Sequence, residues 1–125
     1  MIFLPDVSTL IALLWRKHVH HDLVIAWSKG KSLAICPITE LGFLRVSTCK
    51  GFNVSMPDAR QVLDDFLKKE KPQFIACDRS ALEGDVAPGS AKTTDWYLAN
   101  LASRHGMQWT TLDQAANHPA AVLIV

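Results

Sequence analysis

The sequence predicts an α/β protein with a largely parallel central sheet. Five short apolar runs alternate with segments of helical periodicity, which is typical of parallel strands joined by crossover helices. The runs lack strict alternation of apolar and polar residues, as is usual for strands buried on both faces. The chain has 125 residues, 49% of them hydrophobic. This is enough apolar material for one core, so we expect a single domain spanning residues 1–125.

The predicted elements follow one another in a regular order. The strands are expected at residues 2–4, 33–36, 74–77, 109–111 and 121–125. Helical patterns cover residues 8–15, 22–27, 37–47, 58–69 and 95–105. The alternation therefore predicts that most of the connections are helical.

Turn-forming and capping residues set the expected boundaries of these elements. Pro37 and Pro57 are suited to the first turns of their helices, where a missing N–H costs nothing. Thr94 is the predicted N-cap of the last helix, and Gly106 is expected to end it in the left-handed conformation. The segment 79–91 contains two glycines and a proline, and is the candidate for a long, mobile loop.

Several acidic residues are predicted to lie at the carboxyl edge of the sheet, where parallel α/β proteins bind ligands. Asp6 follows the first strand, Glu40 lies in the first helical turn after the second, and Asp113 closes the fourth. Asp95 begins the helix that leads into the fourth strand, so it faces the same edge. Asp78, which follows the third strand, is admitted by the same topology. Acids at such positions are also favoured for helix capping alone.

Crowded carboxylates raise one another's pKa, and a bound cation relieves this repulsion. Mg²⁺ and Mn²⁺ prefer oxygen ligands and leave coordination positions for water and phosphate oxygens. Such a site suits the hydrolysis of phosphodiesters.

Charge and composition limit the other classes of function. The formal net charge of +1 lacks the bulk positive charge of many nucleic-acid-binding proteins, so any such contact must come from a local patch. The N-terminal region has neither a signal-peptide pattern nor a membrane-spanning length of apolar residues. The three cysteines show no CxxC pairing. We therefore expect a cytoplasmic protein that makes no contact with membranes.

The segments around the acids resemble the PIN-domain family, especially the VapC ribonuclease toxins of toxin–antitoxin modules. The matching segments are LPDVSTLIALL with Asp6, CPITELGFLRVST with Glu40, TTDWYLANLA with Asp95 and WTTLDQA with Asp113. Together they span nearly the whole chain, and the second and third are the most specific.

The resemblance implies a PIN-like three-layer sandwich with sheet order 3-2-1-4-5 and helices on both faces. It implies an endoribonuclease dependent on Mg²⁺ or Mn²⁺, with Asp6, Asp95 and Asp113 as metal ligands and Glu40 acting through water or a second metal. The resemblance also excludes Asp78 from the site, because Asp78 would follow an edge strand, away from the central crevice. The implied partners are an RNA substrate, a cognate VapB-like antitoxin of a type II module and a second copy of the chain in a homodimer.

The resemblance also suggests supporting residues. Thr111 matches a hydroxyl position common in the family, whereas Ser8 stands where an Asn is often found, which puts one supporting hydrogen bond in doubt. Arg45 and Lys92 are candidates for contacts with RNA phosphates, and each is equally well explained as a surface residue.

Two other classes of function compete with the nuclease. One is a PIN-like module that binds RNA or protein and has lost turnover, but all four acids are present. The other is a phosphoacceptor domain, which generally needs paired acids after the first strand; the sequence has neither DD nor DxD there.

Histidines and tryptophans in the first 27 residues have structural explanations. His18, His20 and His21 lack the spacing of a metal site and are expected to form a solvated turn. Trp15 and Trp27 are expected to pack in the core or at a dimer surface, with base stacking as the minor alternative.

Overall fold

The computed structural model of the protein describes residues 1–125 and contains five strands and five α-helices. In chain order, the elements are β1 (Ile2–Pro5), α1 (Val7–Leu14), α2 (His21–Ser28), β2 (Ser32–Ile35), α3 (Pro37–Thr48), α4 (Met56–Glu70), β3 (Gln73–Phe74), α5 (Thr93–Arg104), β4 (Gln108–Thr111) and β5 (Ala121–Leu123). No helix has the length and apolar character needed to cross a membrane.

The five strands form one sheet in the order β3-β2-β1-β4-β5, and every neighbouring pair is parallel. This confirms the order implied by the family resemblance. Phe3 of the central strand β1 is in register with Leu33 on one side and Gln108 on the other. Since β1, β2 and β4 are adjacent and parallel, their carboxyl ends meet at one edge of the sheet.

Two apolar clusters place helices on both faces of the sheet, as predicted. Successive residues at the end of β2 belong to different clusters, since Ile35 is in the first cluster while Ala34, and Cys36 directly after the strand, are in the second. The first cluster contains residues of α1, α2, α3 and α4, and the second contains the buried face of α5. Helix α5 therefore covers one face of the sheet and the other four helices cover the opposite face.

Strand β3 is shorter than the predicted strand at 74–77. It pairs with β2 only through Gln73 and Phe74, and one further backbone hydrogen bond joins the Ile75 N–H to the Ile35 carbonyl at 2.9 Å. The partner strand then turns into α3 at Pro37, so no strand is left to pair with. A strand at the edge of the sheet cannot extend beyond its only neighbour.

The predicted N-cap of α5 at Thr94 is wrong. The helix begins at Thr93, Lys92 occupies the N-cap position, and no side chain caps it. A 3-10 turn, Ser90–Lys92, leads directly into α5, and the Thr93 N–H bonds to the Ser90 carbonyl. The backbone turn thus satisfies the Thr93 N–H and moves the start of the helix ahead of Thr94. Gly106 ends the helix with φ +69°, as predicted.

The segment 79–91 is held against α5 at two places. The Tyr97 hydroxyl donates to the Arg79 carbonyl at 2.8 Å. The Asn100 side chain accepts from the Asp85 N–H at 3.0 Å and donates to the Asp85 carbonyl at 2.9 Å. These bonds tie the candidate mobile loop to the surface of α5.

The two tryptophans and His21 contact the body of the protein, whereas His18 and His20 lie in the turn between α1 and α2. Trp15 stacks on Phe43 with ring centroids 5.8 Å apart, and Trp27 meets Phe3 edge-on at 5.4 Å. The His21 ring bonds to the Ala12 carbonyl at 2.8 Å. Both tryptophans therefore pack against the first apolar cluster.

His118 makes the stability of the fold depend on pH. Its Nδ1 accepts from the Ala120 N–H at 3.0 Å, so Nε2 carries the hydrogen and donates to Asn100 Oδ1 at 2.7 Å. Burial lowers the pKa of His118 from 6.5, and the partly exposed Asp85 opposes this shift only in part. The ring is therefore neutral in the folded protein at a pH where the unfolded chain already binds a proton.

The contribution of His118 is complete above the unfolded pKa of 6.5 and is lost as the pH falls toward the lower folded value. We expect the free energy of unfolding to decrease from pH 7 to pH 5 more steeply in the wild type than in His118→Gln. The glutamine amide can still donate a hydrogen bond to Asn100 Oδ1, but it does not titrate. Urea denaturation at a series of pH values measures both slopes. Equal slopes would show that His118 does not contribute to the pH dependence.

Candidate active site

Asp6 is the most firmly held carboxylate at the carboxyl edge of the sheet. It follows β1 as the N-cap of α1, where Oδ1 accepts from the Thr9 N–H at 2.7 Å. Its other oxygen, Oδ2, accepts from the Thr111 hydroxyl at 2.7 Å. The side chain is 4% exposed. Contacts from both α1 and β4 therefore fix the orientation of this carboxylate.

Burial raises the pKa of Asp6, and the hydrogen bonds from Thr111 and Thr9 offset this effect only in part. The neighbouring Asp113 raises the Asp6 pKa further. The ionised form of Asp6 is thus costly in the absence of a cation, although helix capping alone would explain its position.

Asp95 and Asp113 complete a group of three interacting carboxylates. Asp95 lies in the first turn of α5, where burial is the largest cause of its raised pKa and the charge of Asp6 is the second. Asp113 follows β4, and its N–H donates to the Thr111 hydroxyl at 3.0 Å. Thr111 therefore links Asp6 to Asp113.

Lys92 is the cation of this site. Its ammonium donates to Asp113 Oδ2, and the Ala115 N–H donates to Asp113 Oδ1 at 3.0 Å. These two bonds lower the pKa of Asp113, Lys92 having the larger effect. Conversely, Asp113 raises the pKa of Lys92, and the charges of Asp95 and Asp6 add to this effect. The ammonium thus interacts with all three carboxylates.

Glu40 stands apart from this group. It lies in the first turn of α3, as predicted, but burial is the only cause of its raised pKa, and none of the other acids contributes. It lines the groove between α3 and α4 together with Leu41 and Arg60. The structure thus brings three of the four predicted acids together and leaves the fourth, on α3, without a contact to them.

Asp78 lies at the opposite end of α5. Its Oδ1 is 3.1 Å from His105 Nε2, and His105 is the C-cap residue of the helix. The ten residues from Asp95 to His105 correspond to about 15 Å of helix. Asp78, which topology alone admitted, is therefore separated from the three-carboxylate group.

The other predicted supporting residues make few contacts. Ser8 is exposed and takes part in no hydrogen bond with the acids. Arg45 is exposed in the last turn of α3 and makes no ion pair with them. Thr9 was not predicted as a site residue, although an Asp three residues before it is a recognisable N-cap pattern.

The donor set suits a hard divalent cation, since it consists of carboxylate oxygens, and burial, with a further effect of neighbouring acids, raises the pKa of Asp6 and Asp95. No three acidic, histidine or cysteine side chains converge as joint ligands of one ion. The carboxylate of Asp113 is held by Lys92 instead. Ion binding would thus require a local rearrangement of side chains.

The chain is similar to curated ribonucleases of Mycobacterium tuberculosis. It is 36% identical to Ribonuclease VapC38 over 118 residues, which cover 88% of this chain and 84% of the relative. It is 33% identical to Ribonuclease VapC29, covering 99% and 97% of the two chains, and 34% identical to Ribonuclease VapC44, covering 90% and 86%. No family model matches the sequence.

Solved structures show the same fold at lower sequence identity. VapBC2 from Rickettsia felis, bound to a DNA fragment from its promoter, aligns with a TM-score of 0.62 at 15% identity and covers 98% of this chain and 97% of that one. FitAcB from Neisseria gonorrhoeae aligns with a TM-score of 0.56 at 18% identity, covering 90% and 88%.

Proposed function

Because the chain belongs to the VapC family of ribonucleases, we propose that it is an endoribonuclease that hydrolyses RNA with Mg²⁺ or Mn²⁺ held by Asp6, Asp95 and Asp113. One observation carries the proposal: Thr111 bonds to Asp6 Oδ2 at 2.7 Å and accepts from the Asp113 N–H at 3.0 Å, so carboxylates from distant segments meet at the carboxyl edge of the sheet. In keeping with this, and in addition to the larger effect of burial, Asp113 raises the pKa of Asp6, and both acids raise that of Asp95. Carboxylates held this close repel one another, and a bound divalent cation would neutralise their charge.

A divalent ion at this site would lower the pKa of a water ligand and neutralise phosphate charge. Thr111 holds Asp6 through one hydrogen bond and Asp113 through another, so it keeps the two carboxylates in a constant relation. Glu40, on the first turn of α3, would act through a water molecule or a second metal ion. Arg45 and Lys92 stay predictions as contacts for RNA phosphates.

The partners proposed for this chain follow from its relatives. The aligned Rickettsia structure is a VapBC2 complex on promoter DNA. We propose that this chain is likewise the toxin of a type II module, active as a homodimer in the cytoplasm and silenced by a VapB-like antitoxin.

The proposed activity is tested by incubating the purified protein with total RNA in the presence of Mg²⁺, Mn²⁺ or a chelator. We expect cleavage only with metal, and a decrease of about a hundredfold or more in Asp95→Asn, because the loss of one ligand removes several kcal/mol of charge stabilisation. Asp78→Asn is the matched control, since it removes an acid at the other end of α5. Equal activity in Asp95→Asn would overturn the proposal, and RNA binding without cleavage by the wild type would support a binding module instead.

A further inference from the structure

The contact between Lys92 and Asp113 bears on how the proposed metal site is filled. The two residues lie on opposite sides of α5 in the sequence, and their ion pair is the one salt bridge that involves an acid of the three-carboxylate group. Both side chains are partly exposed, at 37% and 29%. The pair is thus accessible to an ion arriving from solvent.

The ammonium takes the electrostatic place that a metal ion would take. It is bonded to Asp113 and interacts with the charges of Asp95 and Asp6. The second oxygen of Asp113 already accepts from the Ala115 N–H. An ammonium and a divalent cation on the same carboxylate repel each other, so the two cations compete for Asp113.

The position of Lys92 allows its ammonium to move away from Asp113. It ends the short Ser90–Lys92 turn at the N-cap of α5, and its ammonium makes no other hydrogen bond. A lysine side chain has a flexible four-carbon stem, so the ammonium can move to solvent without any displacement of the helix. Asp6, by contrast, is held by two hydrogen bonds and stays in place.

We propose that Lys92 is an internal counter-ion of the three-carboxylate group, which occupies Asp113 in the metal-free protein and is displaced when a divalent ion binds. This inference rests on the proposed function. Lys92 is a positioning residue that lowers metal affinity in the free enzyme and stabilises the metal-free state.

The test measures Mn²⁺ binding by isothermal titration calorimetry at low ionic strength, without RNA. We expect Lys92→Met to bind Mn²⁺ about tenfold more tightly than the wild type, a change of about 1.4 kcal/mol. Lys92→Arg keeps the charge and should bind like the wild type. Lys68→Met is the matched control, because Lys68 pairs with Asp64 on the surface of α4, 2.8 Å away, and its loss should not alter the affinity.

A second readout is thermal unfolding of the metal-free protein. Lys92→Met should melt at a lower temperature than the wild type without metal, and its melting temperature should rise more on addition of Mn²⁺. Equal or weaker Mn²⁺ binding by Lys92→Met, with binding by the wild type intact, would overturn the role of Lys92 and leave the proposed function standing. Absence of Mn²⁺ binding in both proteins would overturn the metal-dependent function and this inference together.

Discussion

Replacement of Asp6 by Asn is expected to abolish metal binding and to reduce RNA cleavage by a factor of at least about a hundred, since a charged ligand is worth several kcal/mol of stabilisation. An Asn at this position keeps an oxygen that can accept from the Thr9 N–H, and Asn is as good an N-cap as Asp. The fold should therefore survive the change.

Stability measurements separate the two roles of Asp6. Because burial raises the pKa of Asp6, removing its charge should leave the metal-free protein at least as stable as the wild type. Asp6→Ala also removes the cap and should cost about 1 kcal/mol in the free energy of unfolding. Cleavage assays, Mn²⁺ titration and urea denaturation of both variants test this. Substantial cleavage by Asp6→Asn would show that Asp6 serves only as a helix cap.

Replacement of Trp109 by Ala is expected to lower the free energy of unfolding by about 3–5 kcal/mol, the usual cost of removing a large buried aromatic side chain. Trp109 is completely buried in β4, between β1 and β5, and its ring lies 6.3 Å from that of Trp96. The loss is a large part of the total stability of a typical domain, which is about 5–15 kcal/mol.

Trp109→Phe is the control for this prediction. The indole N–H of Trp109 is buried without an acceptor, so a phenyl ring loses no hydrogen bond. We expect it to cost clearly less than Trp109→Ala, because the phenyl ring leaves a much smaller cavity. Urea denaturation followed by far-UV circular dichroism avoids the change in tryptophan fluorescence. A cost below about 1 kcal/mol for Trp109→Ala would mean that the core closes around the missing ring.

The buried tryptophans also connect the core to the site. Trp96 follows Asp95 in the first turns of α5 and packs against both Trp109 and His118. The ring contacts therefore anchor the end of the helix that carries a proposed metal ligand. A cavity at Trp109 should for this reason impair cleavage even under conditions in which the variant is still folded.

Capping and metal binding do not exclude each other at Asp6. The hydrogen bond to the Thr9 N–H satisfies the helix terminus, while the second oxygen is oriented by Thr111 toward the side of Asp113. The residue that local sequence rules assign to a cap is thus also the residue that the tertiary contacts bring to the other acids.

Local patterns in the sequence were sufficient for the order of the elements and for the edge at which the acids lie. A strand followed directly by a helix places the connecting residue at the carboxyl edge, so Asp6, Glu40 and Asp113 could be located from their neighbours alone. The order of the strands came from the family resemblance, because periodicity does not encode which strands are adjacent.

Only the tertiary structure decided which of these residues interact. The bond between Lys92 and Asp113 and the bond between Asp85 and Asn100 join segments that are distant in sequence. The lack of any effect of the other acids on the pKa of Glu40 is likewise visible only in the folded protein. Hydrophobic patterns and capping preferences act over a few residues, whereas the pairing of charged side chains depends on how the helices pack against the sheet.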